Sequence, residues 1–380
     1  MRNRNTENFS QGSFTKLFAG FQDVHIHENK ALGFIGIIAV HDTTLGPALG
    51  GCRRQPYPSL WDAFVDVSRL ARGMTYKAAL SRLPLGGGKC LLIPTKHDKR
   101  LRKAQYQAMG RFIDSLAGTY ISAEDVGTSV ADVHEMGKMT PFVTGSMKDH
   151  PYDGNPSPFT ALGVLHGMKG AMRALHGTPS LAGRTMYVEG VGNVGMKLAE
   201  LLHKEGAVLY VSNRTSTPSE QAALKSAEER FSATRVELNE HGQPRRFPHV
   251  DIYVPCALGG VVNEERIETY PSTLSLIAGS ANNVLLDASR DGELLRKRKI
   301  LYAPDYVINN GGLIDVHHQW QSKNHGVPYD PNEVSQGCTQ NETVLYEICS
   351  RAIAEEVCPH RIADTMAEKV LKDKKTVFFT

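Results

Sequence analysis

The 380-residue chain has little that would tie it to a membrane, a nucleic acid or a structural metal. No apolar run approaches the roughly 20 residues of a membrane span. The N-terminus "MRNRNTENFSQGSFTKLF" lacks the apolar core of a signal peptide and reads as a short polar extension. Cytoplasmic localisation is the expectation. The net charge is only +3 and no Lys/Arg run is long, so neither nucleic acid nor a membrane surface is expected as a partner. The six cysteines, Cys52, Cys90, Cys256, Cys338, Cys349 and Cys358, form no C-x-x-C pair and fit reduced thiols, without a metal site. Internal repeats and low-complexity tracts are missing.

What remains is ordinary globular composition, 41% hydrophobic and 22% charged, in a chain long for one core. Two α/β domains are expected, residues 1–150 and 151–339, with the C-terminal segment 340–380 returning to the first. In the first, "GFIGIIAV" (33–40) is a β-rich run. "SLWDAFVDVSRLARGMTYKAAL" repeats apolar residues at Leu60, Phe64, Val67, Ala71, Met74 and Ala78, a helical period, with Ser59 and Asp62 as a capping box. Lys77 then sits near the helix C-terminus, where a cation is favourable for structural reasons alone. Strand-like "TYISA" leads into "EDVGTSVADVHEMGKM", a helix opened by Thr128 or Ser129 and preceded by Asp125, which on its own is readable as a turn residue.

The stretch "LPLGGGKCLLI" ends a run of three glycines on Lys89. It is out of register for a phosphate-binding G-x-x-x-x-G-K-[ST] loop: Leu83 stands five residues before Gly88, and Cys90 lacks the hydroxyl that holds Mg²⁺. A tight turn into a strand, with a solvated lysine, accounts for the stretch as well as a functional loop does.

From residue 160 strand and helix alternate. "TALGVLHGMKGAMRAL" reads as helix, "RTMYVEG" as strand, "NVGMKLAELLHKEG" as helix and "AVLYVSN" as strand. The junction Gly190-Val191-Gly192-Asn193-Val194-Gly195 is a G-x-G-x-x-G that follows a strand and opens a helix, the context a dinucleotide fingerprint requires. Further short strands are read at "VDIYVPC" (250–256), "LSLIAGS" (274–280), "NVLLD" (283–287) and "YVIN" (306–309), which together predict a parallel, doubly wound Rossmann-like sheet. "SEQAALKSAEERF" reads as a charged surface helix and "ETVLYEICSRAIAEEVC" as the last helix. The second fingerprint strand ends in Ser212, Asn213 and Arg214, where an NAD-specific site carries an acid.

The pieces "IAVHDTTLGPALGG", "GMTYKAA", "LPLGGGK", "ISAEDVGT", "GNPSPFTALGV", "GVGNVG", "DIYVPCALGG", "AGSANN" and "YAPDYVIN" occur in order from about residue 36 to 310. In this the chain resembles the glutamate/leucine/phenylalanine/valine dehydrogenase family. The resemblance implies NAD(P)-dependent oxidative deamination of an L-amino acid to its 2-oxo acid and ammonia, with the reverse reductive amination, in a cleft between a substrate domain and a dinucleotide domain. By motif it makes Lys77 the ligand of the α-carboxylate, Lys89 the catalytic lysine with a pKa lowered toward neutrality, and Asp125 the proton carrier. The bare glycines are then expected to let Lys89 stand close to the substrate. Leu49, Gly50, Gly51, Met74, Ala123, Leu313 and Val316 become substrate-pocket residues. Thr160, Asn283 and Asn309 fall at the nicotinamide end, and Gly190, Gly192, Asn193, Val194, Gly195, Ser212, Asn213, Arg214, Cys256 and Ala257 complete the cofactor set; no metal is implied.

Relatives specific for glutamate carry a lysine where this chain has Leu49, so an apolar substrate is expected, leucine, valine or isoleucine first and phenylalanine or tryptophan as the alternative. Asn310, Leu313 and Asp315 depart from the family's "VINAGGVINV" and are expected close to the pocket. NAD is the expected cofactor and NADP a possible one, since Asn213 removes the acid that repels a 2′-phosphate and Arg214 offers it a cation. A homo-oligomer, from dimer to octamer, is implied. Two rival classes stay open: a Rossmann hydroxy acid dehydrogenase, which would not need ammonia, and a nonenzymatic dinucleotide-binding descendant.

Overall fold

The computed structural model describes residues 11–96, 98–147 and 150–378. The first ten residues of the polar N-terminal extension therefore lie outside the described chain. The described chain divides into two units. The first runs to Ala79 and resumes at Pro84, while the second comprises Leu80–Leu83 and the chain from His150 to Thr376.

The first unit carries β1 (Asp23–Asn29), β2 (Phe34–Asp42), β3 (Ala48–Arg54), β4 (Gly86–Pro94) and β5 (Tyr120–Ala123) in the order β1-β2-β4-β3-β5. Strand β2 is antiparallel to β1 and β4, and β3 is parallel to β4 and β5. Its helices are α1 (Gln11–Leu17), α2 (Leu60–Leu80), α3 (Arg102–Asp114) and α4 (Val130–Gly137). Side chains alternate across the sheet. Ile37, Ala39, Leu91 and Ile93 pack on Ala63, Phe64, Val67 and Ala71 of α2. Ile38, Val40, Cys90 and Leu92 pack on Tyr106, Met109 and Ile113 of α3 and on Val133 and Met136 of α4. Lys89 is in phase with Leu91 and Ile93, opposite to Cys90, and so belongs to the α2 side of the sheet. Helix α4 starts at the cap Ser129, which forms a capping box with Asp132.

The three glycines before Lys89 are not a loop. They open β4, and each is needed for close packing. A Cβ on Gly86 would lie 2.1 Å from the carbonyl oxygen of Asp42, and one on Gly87 would lie 2.0 Å from the backbone nitrogen of Thr75 in α2. The glycine run thus presses the C-terminal half of α2, with Lys77 in its last turn, onto the strand that carries Lys89.

The second unit holds six parallel strands, β6 (Thr185–Glu189), β7 (Val208–Ser212), β8 (Thr234–Arg235), β9 (Ile252–Pro255), β10 (Leu276–Ile277) and β11 (Leu301–Tyr302), ordered β11-β10-β9-β6-β7-β8. The order reverses between β6 and β9, the switch point where doubly wound sheets take their ligands. The helices are α5 (Ser157–His176), α6 (Asn193–Lys204), α7 (Pro218–Phe231), α8 (Glu264–Glu268), α9 (Ala288–Lys297), α10 (Asp305–Ile308), α11 (Gly311–His325), α12 (Pro331–Ala354) and α13 (Pro359–Phe378).

Three sequence expectations change here. "YVIN" is helix, not strand: Pro304 ends the extended chain and α10 begins at Asp305. "NVLLD" pairs only through the single bridge Val262–Leu285. The C-terminal segment expected to return to the first domain from residue 340 belongs to the second unit as far as Thr376, and only from Val377 on to the first. Helix α12 lies along α5, where Gly163, Gly167 and Gly170 leave room for it; a Cβ on Gly170 would stand 2.2 Å from the carbonyl oxygen of Glu342. From α13, Asp364 accepts a hydrogen bond from the Tyr306 hydroxyl of α10.

Candidate active site

In the first unit the parallel pairing of β3 with β4 and β5 brings Gly51 level with Ala123 and Cys52 level with Cys90. The chain leaves β5 through Glu124 and Asp125, and the turn closes where the Thr128 N–H donates to the Asp125 carbonyl. Gly50 and Gly51, expected as substrate contacts, each have a packing reason. A Cβ on Gly50 would meet the Gly88 carbonyl oxygen at 1.9 Å, and one on Gly51 would meet the Glu124 carbonyl oxygen at 2.3 Å and the Asp125 Cβ at 2.8 Å. The missing side chains let the Asp125 turn settle against β3.

There the Lys89 Nζ lies 3.2 Å from Asp125 Oδ2. The same oxygen accepts from Arg53 Nε at 2.8 Å. Arg53, unread in the sequence, also donates through Nη1 to Asp66 Oδ2 at 3.1 Å, and the Tyr57 hydroxyl donates to that Asp66 oxygen at 2.6 Å. Side-chain exposures of 5% for Lys89 and 12% for both Arg53 and Asp125 make this a desolvated cluster, tolerable because each charge has a partner. Burial disfavours the Asp125 carboxylate, but Lys89 and then Arg53 outweigh it and hold the carboxyl at about 2. Asp125 is therefore ionised at any working pH. Lys77 is buried at 9% exposure, and Leu49 and Ala123 are buried without a charge of their own. Met74, one turn before Lys77 on α2, is half-buried.

In the second unit the fingerprint glycines divide their work. Gly190 has φ +100, closed to other residues, and a Cβ there would strike Ala257 Cβ at 2.7 Å. Gly195 must be glycine because a Cβ would lie 1.9 Å from the Gly190 carbonyl oxygen, whereas Gly192 has nothing within 4 Å of its missing Cβ. That open position, with α6 starting at Asn193 and Val194, is a cradle a pyrophosphate fits. The Cys256 N–H donates to the Glu189 carbonyl at 2.8 Å, holding the end of β9 beside the end of β6. Ser212 is buried, its hydroxyl 2.8 Å from that of Tyr187. Beyond it, Asn213 Nδ2 donates to the Glu220 carbonyl at 3.3 Å and Arg214 Nε lies 3.4 Å from Glu220 Oε1, while remaining 67% exposed.

Asn309 is 4% exposed. Its Nδ2 donates to the Ser280 carbonyl at 3.0 Å and to Asn282 Oδ1 at 2.8 Å, and its buried Oδ1 has no partner. An orphaned acceptor of this kind costs about 1–3 kcal/mol unless a ligand donor meets it, so the residue fits the nicotinamide end. Thr160 on α5 donates to the Pro156 carbonyl at 3.1 Å and stands beside Gly312, where a Cβ would come within 2.6 Å of its Oγ1. Asn283 takes the left-handed φ of +51. Leu313 and Val316, one turn apart on α11, are each 5% exposed.

Asp315 does not face a ligand. It is wholly buried and taken up by His150 Nε2 at 2.9 Å, the Tyr329 hydroxyl at 2.7 Å and Gln319 Nε2 at 3.0 Å. His150 Nδ1 in turn accepts the backbone N–H groups of Tyr152 and Gly154, so this departure clamps the segment that leads into α5. Asn310, the other polar departure, donates through Nδ2 to the Ser81 hydroxyl at 2.8 Å. Glu189 was also missed: buried at the end of β6, it accepts from the Tyr253 hydroxyl at 2.8 Å and pairs with buried Arg266.

The family model described as Glu/Leu/Phe/Val dehydrogenase, dimerisation domain, matches residues 21–141. The one described as Glutamate/Leucine/Phenylalanine/Valine dehydrogenase matches residues 156–375. The chain is 46% identical to a leucine dehydrogenase of Bacillus cereus over 298 residues, 78% of this chain and 77% of that one. It is 41% identical to a phenylalanine dehydrogenase of Bacillus thermotolerans over 307 residues, 79% of this chain and 78% of that one. The crystal structure of L-tryptophan dehydrogenase from Nostoc punctiforme aligns with a TM-score of 0.75 at 34% identity, covering 96% of this chain and 99% of that chain.

Proposed function

Because the chain belongs to the glutamate/leucine/phenylalanine/valine dehydrogenase family and is an NAD(P)-dependent amino acid dehydrogenase, we propose that it deaminates a branched-chain L-amino acid, leucine first, through Lys77, Lys89 and Asp125. The carrying observation is the buried Lys89–Asp125 pair at the end of a β3–β4–β5 ledge whose neighbouring Leu49 offers no cation. A side-chain carboxylate placed there would lose its hydration without a partner, a cost of several kcal/mol, which disfavours glutamate. Lys77 holds the α-carboxylate by a charge-assisted contact. Lys89 activates the water that attacks the iminium carbon, and Asp125, which enters ionised, accepts the proton of the substrate ammonium.

When bound, the nicotinamide accepts the hydride from Cα. Gly190, Gly192 and Gly195 with Asn193 and Val194 would hold the pyrophosphate with Cys256 and Ala257 beside it, Ser212, Asn213 and Arg214 would lie at the ribose, and Thr160, Asn283 and Asn309 would hold the carboxamide end. Discrimination against NADP is proposed to be weak. No acid stands at Asn213, and exposed Arg214 is held only by a surface pair with Glu220, worth about 1 kcal/mol or less. A homo-oligomer is proposed on the strength of the dimerisation domain to which residues 21–141 are similar. A phenylalanine or tryptophan substrate is the second reading, favoured by the likeness to the dehydrogenases of those amino acids.

The test is a screen of the 20 L-amino acids against NAD⁺ and NADP⁺, following absorbance of the reduced cofactor. Leucine, valine or isoleucine should give the highest kcat/KM, with NADP⁺ within about 100-fold of NAD⁺, since the missing repulsion is worth only a few kcal/mol. Asn213→Asp should move the preference toward NAD⁺. Glutamate faster than every apolar amino acid would refute the substrate reading, and an NAD⁺ preference above about 1,000-fold would refute the cofactor reading.

A further inference from the structure

The Asp125 carboxylate is reached by cations from two strands, and both act on one oxygen. Lys89 from β4 and Arg53 from β3 converge on Oδ2, at 3.2 and 2.8 Å. Among the described residues nothing else bonds the other oxygen, Oδ1. Arg53 is itself fixed: its Nη1 reaches Asp66 on α2 at 3.1 Å, and Tyr57 donates to Asp66 at 2.6 Å. The row therefore runs Tyr57, Asp66, Arg53, Asp125, Lys89, with a neutral phenol at its start and charges that alternate from Asp66 to Lys89 and sum to zero. Cys90 and Tyr120, which also feel the charge of Asp125, are wholly buried, and burial pushes both up, so they stay neutral.

We propose that Arg53 is a positioning residue of the reaction: its guanidinium fixes Asp125 through Oδ2 so that Oδ1 is presented to the substrate ammonium, and its charge, itself offset by Asp66, adds to that of Lys89 in the field at the Asp125 carboxylate, with Asp66 and Tyr57 as its support. Both halves follow from the geometry. A guanidinium is a rigid planar donor set, able to hold two carboxylates 13 and 72 residues away in sequence in one plane of contacts. It cannot take part in proton transfer, because it does not lose its proton in a protein. Its effect on the reaction is therefore purely one of place and field. The proposal rests on the roles given to Lys89 and Asp125.

Opposite charges at Arg53 and Asp66 give opposite signs, which a merely structural role would not. Removing a cation from the cluster favours the protonated form of whichever neighbour sets the acidic limb of kcat/KM, and removing an anion does the reverse. Arg53→Met should raise that limb by about 1 pH unit or more, lower kcat by about 10–100-fold and change KM for the amino acid less than about threefold. Asp66→Asn should leave the limb in place or lower it. Arg53→Lys keeps the charge but not the fork, so the limb should stay within about 0.3 unit while kcat remains reduced. It also serves if Arg53→Met does not fold, as judged by circular dichroism. A limb unmoved in Arg53→Met with kcat within threefold of wild type, or a limb moving the same way in Arg53→Met and Asp66→Asn, or full kcat in Arg53→Lys, overturns the proposal. Lys89→Ala run alongside separates the two levels. Retained turnover there removes the catalytic assignment itself, whereas lost turnover there with normal Arg53 variants removes only the role of Arg53.

Discussion

Asp125 is a carboxylate with two cations on one oxygen, and its chemistry follows from that imbalance. Lys89→Ala removes the group proposed to activate water and Asp125→Asn the proposed proton acceptor, so each should cut kcat by about 10²–10⁴-fold with the fold intact, measured as initial rates with leucine. Lys77→Ala should act chiefly on KM, because the contact proposed for it is made in ground state and transition state alike. If both catalytic variants keep more than about a tenth of wild-type turnover, the roles are misassigned. The depressed carboxyl also bears on stability. Its contribution is present above the unfolded-state value near 4 and is lost as pH falls through about 2, so the cluster supports the fold at neutral pH and that support fades in acid. Lys77, Lys89 and Asp125 were legible as residue types in motifs. Arg53 was not, because its partners stand 13 and 72 residues away and no local spacing announces them.

At the scale of elements the glycines carry the argument. The run before Lys89 read as a loop because glycine is permissive, yet its function here is proximity: Gly87 abuts the backbone of Thr75, and Gly50 abuts Gly88. Gly87→Ala should force β4 and α2 apart, with an overpacking cost of about 1–3 kcal/mol and a rise in KM through the displaced Lys77. Gly73→Ala is the control, since nothing lies within 4 Å of its missing Cβ. Set in the same helix, it should be neutral or stabilising by up to about 1 kcal/mol. Thermal unfolding of the two variants checks the contrast; equal stability would mean that the ledge does not depend on this contact. Periodicity located α2, α5, α6 and β6 well, since each has a long amphipathic or fully buried pattern. It failed at "YVIN" and "NVLLD", where an apolar run reports burial and the choice between ladder and helix is made by Pro304 and by neighbours far along the chain.

Across the whole molecule the division into two units was readable and the course of most of the C-terminal segment was not. The fingerprint fixed the second unit's sheet, because Gly190, Gly192 and Gly195 meet three separate requirements of turn, open approach and packing. Nothing local told that α12 would lie on α5, a choice made by the small residues Gly163, Gly167 and Gly170 on the partner helix. Asp315 read as a pocket change because of its place in a motif, and its burial under His150, Gln319 and Tyr329 became visible only in the fold.

Reductive amination distinguishes an amino acid dehydrogenase from a hydroxy acid dehydrogenase built on the same nucleotide fold, since only the former consumes ammonia. The most direct measurement is the initial rate of NADH oxidation with 4-methyl-2-oxopentanoate, the 2-oxo acid of leucine, with and without ammonium, and with leucine quantified as product. Strict dependence on ammonium, with one leucine formed per NADH consumed, is the predicted result. Oxidation of NADH at the same rate without ammonium, or formation of the 2-hydroxy acid in place of leucine, would contradict it.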